Sequence, residues 1–235
     1  MIDESDFDKP MPPHSQFFAN YAHTKAIAER LVCSANSPNF RTGAIRPSNA
    51  IYGSSNGDQV VGVVLRTHGA QTWMQNIVQN FVHGGHISLG HLQFEAALLR
   101  KEMPSCAGRP FIITDAGAPP TYGDMYHLCA LLADTPVKLT FLPPAPFLVL
   151  GHLVEWVAIA SRTPVLRWVF PEPKGTIAIL QPGVFHAALN YVATDQAARR
   201  SVEQGGLGFR HVINTMEGMC QQLAEWNAEH GSSSS

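Results

Sequence analysis

Tyr21-Ala22-His23-Thr24-Lys25 sits within residues 17–33, where Phe17, Phe18, Tyr21, Ala22, Ile27, Ala28, Leu31 and Val32 recur at helical spacing. Residues four apart share one helix face, so Tyr21 and Lys25 point the same way. A fixed ammonium beside a phenol favours its charged form. A Tyr so placed can move a proton to or from a substrate oxygen while hydride moves at the carbon. The same spacing also describes a packed Tyr beside a solvated Lys, and the residues that follow bear on the choice.

After this helix comes an apolar strand candidate with a Pro-containing turn, Ala44-Ile45-Arg46-Pro47-Ser48-Asn49-Ala50-Ile51-Tyr52-Gly53, and then Gly57-Asp58. Asn80-Phe81-Val82-His83 precedes a helical run over residues 86–100. Further on stand Gly108-Arg109-Pro110-Phe111-Ile112-Ile113-Thr114-Asp115, Ala198-Arg199-Arg200 and Gly206-Leu207-Gly208-Phe209. In this order the segments resemble the extended short-chain dehydrogenase/reductases, and specifically the 3β-hydroxysteroid dehydrogenase and sterol-4α-carboxylate 3-dehydrogenase family. The resemblance covers nearly all of residues 1–230. It implies an oxidoreductase that uses NAD or NADP on the CH–OH group of an apolar sterol or terpenoid. Decarboxylation follows where a 4α-carboxylate lies β to the new ketone. By the same resemblance Tyr21 is the proton-transferring residue, and Lys25 lowers its pKa and holds the nicotinamide ribose. Pro47, Ser48 and Asn49 line the nicotinamide side. The segment there is one residue longer than the commonest family version.

Composition fits a globular α/β protein. With 235 residues, 45% of them hydrophobic, and a net charge of −2, the chain can bury a sizeable core and has no basic excess suited to nucleic acid. Cys33, Cys106, Cys129 and Cys220 are widely spaced, without a Cys-x-x-Cys pair, and read as reduced packing residues of an intracellular protein. The acidic start has no apolar segment typical of a signal peptide. Residues 231–235 read as a disordered tail.

Residues 1–16 read as a loop with a helix N-cap at Ser15. Strands are expected over 40–45, 111–114 and 137–141, a strand or loop over 72–82, and helices over 58–68, 86–100 and 124–132. Alternating strands and helices predict a parallel sheet. The expectation is the later, C-terminal part of a doubly wound Rossmann-like fold. A residual Rossmann-like portion occupies residues 1–135 and a mostly helical substrate-binding portion residues 136–230. No Gly-x-x-Gly-x-x-Gly turn occurs, and Gly84-Gly85 and Gly205-Gly206 do not supply one. The Ser or Thr that the family places on the strand before the Tyr helix is absent too, since Ser5 and Ser15 lie in the loop. The chain is therefore expected to lack the nucleotide phosphate site, to be inactive alone, and to self-associate through an incomplete sheet edge.

His83, His86 and His91 have a spacing that three zinc ligands could use, but their place at a strand end and helix start favours capping, and no metal is assigned. Residues 141–160 form the most apolar window. Its prolines, His152 and Glu155 shorten it below the ~20 residues that a membrane span requires. It reads as a helix over the substrate pocket or a helix in a membrane interface, with Trp156 and Trp168 as anchors. The resemblance adds the cytoplasmic face of the endoplasmic reticulum to a cytoplasmic location. Val212, Met216, Met219, Leu223 and Trp226 form a packing stripe on a last helix. The alternative function is a cofactor-free binding or accessory protein, or a repurposed isomerase or cyclase acting on a terpenoid or polyketide.

Overall fold

The computed structural model describes residues 1–231 apart from Ser55, Gln181 and Ala188; the expected tail beyond Gly231 lies outside the described residues. Two 3-10 turns, Glu4–Asp6 and His14–Gln16, lead into α1 (Asn20–Ser34), β1 (Ala44–Pro47), β2 (Ile51–Tyr52), α2 (Val61–Arg66), β3 (Gly69–Thr72) and β4 (Val82–His83). Then come α3 (Gly84–Leu98), β5 (Pro110–Ile113), α4 (Tyr122–Leu132), β6 (Lys138–Phe141) and α5 (Pro144–Ser161). The short helices α6 (Thr176–Ile179), α7 (Pro182–Ala187) and α8 (Gln196–Arg199) precede α9 (Thr215–His230).

Where these bounds depart from the sequence expectation, local hydrogen bonding is the cause. Helix α1 starts at Asn20 rather than after Ser15, which lies in the second 3-10 turn. Residues 40–43 do not join a strand. Ser37 and Phe40 close a tight turn, and Thr42 is tied to the end of α1, its hydroxyl donating to Val32 O at 2.6 Å and its amide to Asn36 at 3.2 Å. Helix α2 is trimmed at its start because Asp58 acts as a cap, its carboxylate accepting from Val60 N at 2.9 Å and Gly62 N at 2.8 Å.

The strands pair in parallel as three two-stranded ladders, β1 with β5, β2 with β4 and β3 with β6. Strand β5 is buried along its whole length, as a parallel strand covered on both faces must be. Helix α3 covers one face of the β1–β5 pair. At Gly90 an added Cβ would lie 3.2 Å from Ile113 and 3.9 Å from Ile45, so the helix can sit this close only with a small residue there. Phe94 of α3 meets Phe111 edge-on at 5.3 Å. Helix α1 packs against β1, where Arg46 forms a two-pronged ion pair with Glu29 at 2.7 and 2.6 Å. The far edge of β5 is closed by the first turn, where Glu4 accepts from Ile112 N at 2.7 Å. A second core gathers α2, α4 and α9 around Val61, Leu65, Phe81, Met125, Met219 and Leu223, the last two from the predicted methionine stripe.

Asp115, directly after β5, joins these parts. Its buried carboxylate accepts from His83 N (2.8 Å), the His86 ring (2.7 Å), the Tyr52 hydroxyl (2.7 Å) and the Thr215 hydroxyl (3.0 Å). The other ring nitrogen of His86 accepts from Val212 N at 2.9 Å, which fixes the tautomer with the proton facing Asp115. Burial, and then the Asp115 charge, push the Tyr52 pKa upward, so its phenol remains a donor. Asp115→Ala leaves the His83 amide, the His86 ring and the Thr215 hydroxyl without their acceptor, while the Tyr52 hydroxyl keeps Thr215 O at 3.1 Å, and should cost about 3–5 kcal/mol. Urea unfolding followed by circular dichroism measures this. A loss below about 1 kcal/mol would show the network to be dispensable.

Candidate functional site

Helix α1 presents the expected pair outward. Tyr21 is 68% exposed, and Lys25 Nζ lies 5.6 Å from the centre of its ring. Thr24, between them, turns its hydroxyl back to Tyr21 O at 2.9 Å. Lys25 also borders a cleft of about 360 Å³ shared with Phe17, Glu29, Arg46 and the loop residues Met11 and Pro12. The cleft's charged wall is the Arg46–Glu29 pair together with Asp6, which meets Arg46 at 2.7 Å. Pro12 of the leading loop thus lines the same cleft as Lys25.

The second group lies at the C-terminal end of β1. Pro47 is exposed. Ser48 is turned inward and 3% exposed, its amide donating to Ile113 O at 3.0 Å and its hydroxyl to Phe81 O at 3.4 Å. Asn49 donates through Nδ2 to the Tyr122 hydroxyl at 3.0 Å. Ala50 follows with φ 53°, in the left-handed region that costs a side-chain-bearing residue about 1–2 kcal/mol. The structure therefore brings Tyr21 and Lys25 together on one helix face and Pro47 to Asn49 together at a strand end. Arg46 connects the two groups, with its backbone in β1 and its side chain in the Lys25 cleft.

The histidines separate. His83 caps α3 by accepting from Gly85 N at 3.1 Å, His86 is fully buried with both ring nitrogens engaged, and His91 opens onto a different cavity beside Phe40 and Glu95. Cys33, Cys106 and Cys129 are buried, and burial raises all three thiols, Cys129 to about 12. Sequence reasoning passed over Asp115 and Tyr122. Asp115 did stand in the segment 108–115 singled out for its strand, but its carboxylate's partners come from distant parts of the chain. Tyr122 carried no signal, because its contact with Asn49 joins residues far apart in sequence.

Comparison with known proteins places this geometry. Residues 5–135 match the model of the 3-beta hydroxysteroid dehydrogenase/isomerase family. The chain is 26% identical over 245 residues to short-chain dehydrogenase/reductase family 42E member 1 of Xenopus laevis, covering 98% of this chain and 57% of that protein. It is 26% identical over 182 residues to the decarboxylating sterol-4-alpha-carboxylate 3-dehydrogenase of Gibberella zeae, covering 74% of this chain and 55% of that one. The chain thus spans little more than half the length of these relatives. Among solved structures, MoeE5 in complex with UDP-glucose and NAD superposes with a TM-score of 0.56 at 15% identity, over 94% of this chain and 58% of that one. UDP-glucose 4-epimerase of Thermotoga maritima gives 0.54 at 13%, over 97% and 59%. These likenesses, at low identity, show the Rossmann-like fold. The family match reaches from before the Tyr21 helix to the end of α4, more than half the chain, and the protein belongs to the 3-beta hydroxysteroid dehydrogenase/isomerase family.

Proposed function

We propose that this chain carries the substrate-side part of an oxidoreductase acting on the CH–OH group of an apolar sterol or terpenoid, with NAD or NADP as partner. The observation that carries the reading is the outward-facing Tyr21–Lys25 pair inside the stretch that matches the family. Tyr21, in its phenolate form, takes the proton of the substrate hydroxyl. Its phenolic oxygen has no hydrogen-bond partner among the described residues and is free to do so. Lys25, bordering the cleft, holds the nicotinamide ribose. Ser48 fixes the turn from inside, which leaves Pro47 and Asn49 to face the ligand. The bound dinucleotide supplies the hydride acceptor. The residues that would hold its nicotinamide end fit that use, whereas the 235 residues include no Gly-rich turn to cradle a pyrophosphate.

The same reading includes peripheral contact with a membrane through α5. This helix of 18 residues has a mean hydropathy of 1.4, and 17% of it is buried. Leu148, Val149, Leu150, Leu153, Trp156 and Ile159 are exposed on it, and Trp168 beyond it is 82% exposed. Aliphatic side chains flanked by exposed Trp suit the boundary between headgroups and acyl chains. A protein collecting an apolar substrate gains by resting where that substrate dissolves.

Three outcomes follow from this reading. Calorimetric titration of the 235-residue chain with NAD+ or NADP+ should give no saturable heat, and micromolar binding would require a phosphate site built from other residues. In flotation with phosphatidylcholine vesicles the protein should rise with the lipid, and Trp156→Ser with Trp168→Ser should reduce the bound fraction severalfold; wild-type protein left wholly in the aqueous fraction would sink the membrane contact. In a polypeptide that also supplies a nucleotide-binding half, Tyr21→Phe should lower turnover of a 3β-hydroxysteroid by about 10²- to 10⁴-fold while dinucleotide binding is kept. Retention of more than about a tenth of the turnover would reduce the pair to helix packing.

A further inference from the structure

In a parallel open α/β sheet, ligands bind outside the carboxyl ends of the strands. At that end of β1, Asn49 donates to the Tyr122 hydroxyl oxygen at 3.0 Å. The hydroxyl hydrogen of Tyr122 then has no acceptor among the described residues. Burial raises the Tyr122 pKa, against the opposing hydrogen bond from Asn49, so the phenol keeps that hydrogen.

The ring is held from several sides. Tyr122 N donates to Ile77 O at 3.1 Å, Phe81 meets the ring edge-on at 5.2 Å, and Tyr126 stacks along it at 6.1 Å. A donor fixed before its ligand arrives loses little freedom on binding. The loop after β3 that anchors Tyr122 also carries an aromatic stack. Gln75 O accepts from Gly123 N at 2.9 Å, and two residues earlier Trp73 stacks on Phe185 at 4.6 Å and on Phe147 of α5 at 6.2 Å. A phenol donor held in place at the carboxyl ends of the strands suits a rigid ligand that carries an oxygen at one end.

We propose that Tyr122 and Asn49 form a recognition pair for that oxygen, with Tyr122 donating to it and Asn49 acting as the positioning residue that orients the phenol. The proposal rests on the sterol reading given above and names the residues through which an oxygenated steroid is told from its hydrocarbon. Tyr21 is left to its separate role on α1.

The test is equilibrium binding of two steroids to the 235-residue chain, followed by tryptophan fluorescence: androstan-3-one and androstane, which differ by the one oxygen. Tyr122→Phe should weaken binding of the ketone about three- to tenfold, the effect of one neutral hydrogen bond, and leave the hydrocarbon within about twofold. Asn49→Ala, a change at a half-buried turn, should shift the ketone in the same direction by a smaller factor, and thermal melting of both variants confirms that each is folded. A ketone affinity unchanged in both variants, or an equal loss for both steroids, overturns the pair and leaves the sterol reading standing. Failure of the wild-type chain to bind either steroid overturns both.

Discussion

One carboxylate governs how the pieces of this fold meet. Asp115 ends the most completely buried strand and accepts hydrogen bonds from the backbone of His83, the His86 ring, Tyr52 and Thr215, drawing in β4, α3, β2 and α9. No ladder longer than two strands links these elements among the described residues. What a continuous sheet would do by backbone pairing, a buried polar hub does here. Such a hub is stabilising only when every partner is in place, because a buried donor without an acceptor costs its full desolvation. Neighbouring packing reflects the same constraint: an added Cβ at Gly218 would fall 2.4 Å from the Tyr52 hydroxyl, so α9 must be Gly there to approach the hub.

The edges of the β1–β5 pair are treated differently. On β5 the first turn covers the outer side: Glu4 receives Ile112 N, Asp6 binds Arg46, Asp8 binds Arg109, and Phe7 lies between the Arg30 and Arg109 guanidinium groups at 5.6 and 5.2 Å. Residues 4–9 find this place through carboxylates on Arg46 of β1 and Arg109 just before β5, and through backbone carbonyls that accept from Arg30 of α1. Strand β1 has β5 as its one strand partner among the described residues. Pro47 at its end has no N–H to offer another strand, which limits the exposed pairing surface to the preceding residues.

Much of this was legible in the sequence, and what was not has a common cause. Periodicity located α1, α3 and α9 because an amphipathic helix writes its buried face into the chain at fixed spacing, and the apolar run 111–114 announced a buried strand, which is observed one residue earlier at Pro110–Ile113. The Tyr21–Lys25 alignment on one face follows from helix geometry alone. The strand near residue 40 was misplaced because hydrogen bonds of Thr42 and Ser37 to residues outside any strand claim that stretch. Ser48 could not be distinguished from Asn49 as a ligand-facing residue, since which of two adjacent side chains turns inward depends on the strand opposite, where Ile113 and Phe81 take up Ser48. Tyr122 escaped notice for the same reason: its partner is 73 residues away.

The carboxyl ends of β1 and β5 therefore have divided roles. The carboxylate at the end of β5 has both oxygens occupied by protein donors, and an added ligand there would have to displace one of them from a buried site. At the end of β1 the polar groups are only half-buried, and the bond between Asn49 and Tyr122 uses one donor and one acceptor while others remain. Because parallel strands deliver their last residues to the same end of the molecule, rigidity supplied at β5 is available to hold groups at β1 in place. Ser48 transmits it, its amide bonded to Ile113 O immediately before the segment that carries Asp115. A site built this way can leave its hydrogen-bonding groups unsatisfied in the free protein without collapsing onto itself, which is the condition for those groups to act on a ligand.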